Sequence, residues 1–207
     1  MNTLMIFLKE PVAGQVKTRL AKSLDSEKAC NIYRGFLQMI VEKLITGNWQ
    51  TQVFYASQGE PKELKRIFPS SIEFIEQQGD NLGERMQKGF ETNFKRGATK
   101  VTIIGGDSPD MPLDFIQQSF HSLSTQDLTL GPTPDGGYYL MGLKKNSPFL
   151  FEEIEWSTPA VLPSTLKIAH AHHLKILQLP QWNDVDDIED YQDFIKSNPH
   201  FTPHYSQ

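Results

Sequence analysis

The sequence predicts an α/β sandwich of three layers with a mostly parallel central sheet. Three observations carry this. Leu4-Met5-Ile6-Phe7-Leu8 is an unbroken apolar run, too short for a helix and without polar alternation. That pattern suits a strand covered on both faces, as in a parallel sheet. Further short apolar runs then alternate along the chain with segments whose apolar residues recur every three or four positions, which reads as strands separated by helices. Finally, 207 residues with a single cysteine must fold on a buried core without cross-links, and a chain of this length can do so. We expect one domain over residues 1–198, followed by a polar, loose tail at 199–207.

The elements follow in order. After Leu8 the chain breaks at Pro11 and Gly14. Asp25 or Ser26 can cap a helix whose apolar face is Ala29, Ile32, Tyr33, Phe36, Ile40 and Leu44, and Gly47-Asn48 stops it. Gln52 to Ala56 reads as a second strand, Pro61 to Phe68 as a short helix and Ile72 to Ile75 as a third strand. A turn at Gly79–Gly83 leads into a helix with Leu82, Met86, Phe90 and Phe94 on one side. Val101 to Ile104 is a fourth strand, and Pro112 opens a helix with Ile116, Phe120 and Leu123. Leu128 to Leu130 and Tyr138 to Leu143 are strands on either side of Asp135-Gly136-Gly137. Leu162, Leu166 and Ala169 mark a helix, Leu174 to Leu179 a last strand. Asp186 or Asp187 caps a final helix carrying Ile188, Tyr191, Phe194 and Ile195.

Composition narrows the function. A formal net charge of −5 and the lack of any sustained basic run argue against nucleic-acid binding. No stretch reaches the roughly 18 apolar residues of a membrane span, and no signal peptide is evident, so the expectation is a cytoplasmic protein with no membrane partner. Cys30 falls in an apolar helical pattern and reads as a core thiol. No Ser-His-Asp order or Cys-His pair suggests nucleophilic hydrolysis. His170, His172 and His173 at a helix end read as solvated, favoured by the negative end of the helix.

Five groups carry candidate chemistry. Lys9, Lys17 and Arg19 surround Gly14 in the first loop, a way to offer fixed charge and backbone N–H groups to phosphate. The loop is neither a Walker A motif, because Val16 stands where glycine is required before Lys17, nor a Rossmann fingerprint. A solvated basic loop is the competing reading. Gly105-Gly106-Asp107 presents a carboxylate at a strand end, suited to Mg²⁺ or Mn²⁺, with helix capping by Asp107 or Asp110 as the alternative. Asp135-Gly136-Gly137 is either a plain hairpin turn or a close approach to a ligand. Asp184 and Asp186 would point the same way in an extended segment. Two such carboxylates repel unless a cation or proton lies between them, although helix capping explains part of the cluster. Arg85, after Asn81-Leu82-Gly83-Glu84, could face an anion or pair with Glu84 or Asp80.

These pieces occur in the order used by nucleotide-diphospho-sugar transferases of the glycosyltransferase-A type. More closely, the chain resembles a bacterial family known as selenodomain-associated transferase family 1. The matching segments are FLKEPVAGQVKTRL, NLGERM, IIGGDSPDMP, GPTPDGGYYLMGL, EWST and DVDDIEDYQDF, which run from the first strand to Phe194. More distantly it is similar to the guanylyltransferases of molybdopterin cofactor and of phospholactate. The resemblance implies that Lys17 and Arg19 take nucleotide phosphates, that Asp107 holds the metal with Asp184 or Asp186, and that Gly136-Gly137 line the pocket. The first loop departs from the denser glycine pattern of sugar nucleotidyltransferases, since only Gly14 remains. The implied activity is metal-dependent nucleotidyl transfer from a nucleoside triphosphate to a small phosphorylated or hydroxylated acceptor. Glycosyl transfer from a nucleotide sugar is the second possibility, and a non-catalytic nucleotide-binding protein the third.

Overall fold

The first strand, β1 (Asn2–Lys9), is the third strand of one seven-stranded sheet. The structure is a computed structural model and describes residues 1–44, 46–57 and 59–203. The other strands are β2 (Gln50–Ala56), β3 (Glu73–Glu76), β4 (Lys100–Ile104), β5 (Leu128–Pro132), β6 (Tyr138–Leu143) and β7 (Ile176–Gln178), and their spatial order is β3-β2-β1-β4-β6-β5-β7. Every pairing is parallel except those of β6, which runs antiparallel to both β4 and β5. The mostly parallel sheet is thus as expected, with one reversed strand. A hairpin produces the reversal: Thr133–Gly137 is too short a connection for a parallel crossover.

The helices are α1 (Thr18–Ala21), α2 (Ser26–Leu44), α3 (Lys62–Ile67), α4 (Leu82–Lys95), α5 (Leu113–Ser122), α6 (Val161–Ala171) and α7 (Ile188–Ser197), with a 3₁₀ turn at Pro148–Phe151. Because side chains alternate along a strand, β1 feeds two cores. Leu4, Ile6 and Leu8 pack with Tyr33 and Leu37 of α2 and Ile116 of α5. Met5 packs on the other face with Met86 and Phe90 of α4 and Ala169 of α6. Each fully buried aliphatic or aromatic side chain contributes about 1.5–3 kcal/mol relative to exposure, which is why β1 has no polar face. A third cluster joins Leu20, Ile32 and Phe36 to Val185 and Phe194, fastening α7 to α1 and α2.

Several details differ from the sequence reading. The short α1 and the 3₁₀ turn carry too few apolar repeats to announce themselves. Asp187, not Asp186, is the cap of α7, in a reciprocal capping box with Asp190. Asp110 does not cap α5, which has no side-chain cap; it accepts instead from Trp182 Nε1 (3.0 Å) and Asn198 Nδ2 (3.2 Å). Residues 199–203 of the expected loose tail are anchored, because Phe201 packs against Phe36 and Phe194 with ring centroids 5.4 and 5.1 Å apart; residues 204–207 lie outside the described residues. Cys30 is buried, and burial raises its thiol above the ordinary range. No helix among the described residues is long and apolar enough to cross a membrane.

One ion pair braces the far end of the sheet. Asp127 accepts from the Lys175 backbone N–H at 2.9 Å and from Lys144 Nζ at 2.9 Å, which ties the starts of β5 and β7 to the end of β6. The Lys175 bond, helped by Lys144, holds the Asp127 carboxyl below its usual value. A depressed folded value means that this stability is present above the unfolded pKa of about 3.9 and is lost as pH falls through the folded one. We expect Asp127→Asn to cost about 1–2 kcal/mol at pH 7. Urea melts should show the difference from wild type shrinking below pH 4; a constant difference across pH 3–7 would contradict the assignment.

Candidate active site

The site grows from the sheet's change of direction. The connections leave β1 towards β2 on one side and reach β4 on the other, and in such sheets a crevice opens beyond the strands' carboxyl ends. The loop after β1 enters that crevice under tight local control. Tyr33 hydroxyl lies 3.3 Å from both the N–H and the carbonyl of Lys9, as acceptor of the first and donor to the second. Glu10 is buried and accepts from the N–H groups of Glu63 (2.7 Å) and Leu64 (3.4 Å) at the start of α3. Arg34 Nη2 donates to the Pro11 carbonyl at 3.3 Å. Val16, in the position that disqualifies a Walker A loop, is buried in the core as the loop's apolar anchor.

Beyond that anchor Lys17 adopts a left-handed backbone (φ 46°, ψ 44°) before α1. For a residue with a Cβ this conformation costs about 1–3 kcal/mol, so the surroundings must hold it. They do so through the side chain, which is only 3% exposed. Lys17 Nζ pairs with Asp107 Oδ1, donates to the Val185 carbonyl (2.7 Å), and lies 3.5 Å from Asp186 Oδ1. Its ammonium also sits 5.7 Å from the Phe36 ring centroid. Burial alone would lower the Lys17 pKa, but Asp107 and Asp186 reverse this and hold it above the ordinary lysine value.

Three acidic groups complete this end. Asp107 follows β4, and its carbonyl accepts from the Val185 N–H at 2.8 Å, which brings the segment before α7 against the end of β4. Half of its side chain (52%) faces the cleft. Burial works against its charge, yet Lys17 holds its carboxyl below the usual range. Asp184 accepts from the Ser108 hydroxyl. Burial, together with the like charges of Asp107 and Asp186, pushes Asp184 up to about 7 against the pull of Ser108 and Lys17. Asp186 also meets Arg19 Nη1 at 3.3 Å, and Arg19 is otherwise 71% exposed.

A cleft of about 590 Å³ connects these groups, lined among others by Lys9, Lys17, Arg19, Arg85, Asp107, Asp184 and Asp186. Phe7, Leu82, Met86, Tyr138 and Met141 add an apolar part to its lining. Leu82, expected on the core face of its helix, is 45% exposed there. Arg85 Nε donates to the Gly79 carbonyl (2.9 Å) while the residue lines the cleft. Gly14 and the Gly136-Gly137 pair are not among the lining residues. Gly14 serves the bend of the loop at φ 81°. Gly136 has φ 87°, and a Cβ there would stand 2.3 Å from the Pro159 carbonyl oxygen. Asp135 accepts from Thr133 Oγ1 (2.5 Å) and the Gly137 N–H (3.1 Å), closing the turn on itself. The turn therefore docks against the segment before α6, and the tyrosines after it reach the cleft. That segment is held at a second point, since a Cβ on Gly83 would stand 2.2 Å from the Trp156 indole.

Among the described residues, no three His, Cys, Asp or Glu groups are already gathered as metal ligands. The acids at this end are drawn towards an ammonium instead. Their chemistry nevertheless fits a hard divalent cation: they offer carboxylate oxygens, and Asp107 and Asp186 are partly open to the cleft.

The comparisons with known proteins show the family and the fold. The family described as "uncharacterized protein conserved in bacteria" (DUF2064) matches residues 40–158, more than half of the chain. The chain belongs to the DUF2064 family. The matched span includes Arg85 and Asp107. A Desulfovibrio desulfuricans G20 structure, provisionally named a nucleotide-diphospho-sugar transferase, is 33% identical over 96% of this chain and 88% of that one, with a TM-score of 0.91. A CMP:2-keto-3-deoxy-manno-octonic acid synthetase complexed with CTP shares the fold at 9% identity, covering 96% of this chain and 99% of that one, with a TM-score of 0.60. So does Rv0371c of Mycobacterium tuberculosis H37Rv in complex with manganese, at 13% identity, 95% and 100% coverage and a TM-score of 0.55. No curated protein matches the chain by sequence.

Proposed function

We propose that this chain is a divalent-metal-dependent nucleotidyltransferase, and that within its family it belongs with the selenodomain-associated transferases its motifs resemble. The observation that carries the reading is one cleft, of a size suited to a nucleotide, in which Lys9, Arg19 and Arg85 meet Asp107, Asp184 and Asp186 from distant parts of the chain. The manganese complex of one fold relative and the CTP complex of another are consistent with it. Arg19 and Lys9, both on the cleft wall, would hold the β- and γ-phosphates. Lys17 would fix Asp107 and Asp186 in place. Asp107, with Asp184 or Asp186, would hold Mg²⁺ or Mn²⁺, which when bound would neutralise phosphate charge. An acceptor oxygen attacks the α-phosphorus, the bond to the bridging oxygen breaks, and pyrophosphate leaves against the cations. The protein need supply no nucleophile, because phosphoryl transfer rests on position and charge.

A thermal-shift screen of nucleoside triphosphates and nucleotide sugars, with and without Mg²⁺ or Mn²⁺, tests this. A triphosphate with metal at about 100 times its Kd should stabilise the fold by about 2.7 kcal/mol. Arg19→Ala should weaken triphosphate affinity by about tenfold or more, as loss of one charge-assisted contact does. Stabilisation by nucleotide sugars alone would favour glycosyl transfer, and metal-independent stabilisation would favour a simple binder.

A further inference from the structure

Of the cations in this cleft, Lys17 is placed unlike the others. Arg19 is largely exposed, whereas the Lys17 side chain is 3% exposed. An ammonium has three donors, and protein acceptors take them: Asp107 Oδ1, the Val185 carbonyl and, more distantly, Asp186 Oδ1. The left-handed backbone at Lys17 is what turns the side chain inward, and the Phe36 face behind it, itself packed by Phe194 and Phe201, backs the ammonium. A lysine whose only task was to meet a ligand's phosphate would need none of this enclosure.

Resting on the reading above, we propose that Lys17 is a built-in counter-ion of the acid cluster, holding Asp107 and Asp186 until a divalent cation takes them. The ammonium and the metal then compete for the same carboxylates. Once displaced, the ammonium needs a new anionic partner, and a triphosphate in the cleft supplies one. Metal alone therefore binds weakly, and metal and triphosphate each strengthen the other's binding, as linkage requires. Lys17 acts as a positioning residue through Asp107 and Asp186, and its exchange between partners couples the two ligands.

The test is titration of the full chain with Mn²⁺ alone, by calorimetry, in wild type, Lys17→Met and Lys17→Arg. Removing a competing unit charge a few ångströms from the carboxylates should tighten Mn²⁺ binding in Lys17→Met by about tenfold or more. Lys17→Arg, which keeps the charge, should stay as weak as wild type. A folded Lys17→Met that binds Mn²⁺ no better than wild type overturns the proposal; a lysine that merely braced the loop would give that result or a loss. Should Lys17→Met fail to fold, wild type itself decides. Acetylation of Lys17 by acetic anhydride, followed by peptide mass spectrometry, should be slow without metal and faster at saturating Mn²⁺. Equal labelling overturns the proposal. The two readings fail separately: if wild type binds no triphosphate with Mn²⁺, nucleotidyl transfer is wrong, whereas if it does and Lys17→Met shows no tightening, only the counter-ion role is wrong.

Discussion

Replacing Asp107 with Asn is expected to remove metal-dependent nucleotide binding and to lower any transfer rate by at least about 10²–10³-fold, the scale of losing one preorganised electrostatic group. Two roles meet at this side chain. Half of it faces the cleft as the most open of the proposed ligands, and it is also the nearest partner of Lys17. An amide of the same shape keeps the packing but loses the charge. Lys17 would retain the Val185 carbonyl and Asp186, so the fold should survive with a loss of about 1–3 kcal/mol. The two effects are read separately: Mn²⁺ titration reports the ligand role and urea denaturation the pairing role. A variant that binds Mn²⁺ and triphosphate like wild type would exclude Asp107 from the site.

Gly136→Val is expected to have the largest effect on the fold. Position 136 has φ 87°, a region that a β-branched residue adopts only under strain of about 1–3 kcal/mol. The new Cβ would also stand 2.3 Å from the Pro159 carbonyl oxygen, which is backbone and cannot swing away. The Leu162 N–H donates to the Gly136 carbonyl at 2.8 Å, so a shift of the turn also disturbs the first turn of α6. We expect a drop of at least about 3 kcal/mol, with strain and overpacking adding. Gly137→Ala makes a useful comparison, because its nearest neighbours are the Thr133 and Asp135 side-chain oxygens at 3.1 and 3.4 Å, and it should cost much less. Equal melting temperatures for the two variants would show that the close approach at Pro159 does not constrain the turn.

The fold was legible in the sequence because its signals are local. The apolar run of β1 and the three-and-four spacing of α2 require only knowledge of what each face must meet. The reversed β6 was legible only through the hairpin reading of Asp135-Gly136-Gly137, since Leu128–Leu130 and Tyr138–Leu143 look the same in either direction. At the site, residue type pointed to the acids and cations that line the cleft, while their distribution between metal, phosphate and protein was hidden. Lys17 and Arg19 are two positions apart and read alike, yet one is enclosed and the other exposed. The difference arises from a single left-handed residue and from Val185, whose carbonyl and N–H meet Lys17 and Asp107 from a point 168 residues beyond Lys17. Tyr33 and Glu10 fix the first loop; Tyr33 read as a core aromatic, and Glu10 drew no reading of its own. A glutamate between a strand end and a proline was the available hint for Glu10. Gly136 drew attention as a possible close approach, and what it approaches is Pro159, whereas Gly137 faces Thr133 and Asp135 within the turn.

The measurement that bears most directly on the central claim is calorimetric titration of wild type and Asp107→Asn with nucleoside triphosphates in the presence and absence of Mg²⁺. The account predicts that a triphosphate binds wild type at least about tenfold more tightly with Mg²⁺ than without, and that Asp107→Asn abolishes this difference. Binding that is equally tight in EDTA, or a metal dependence that survives Asp107→Asn, would contradict it.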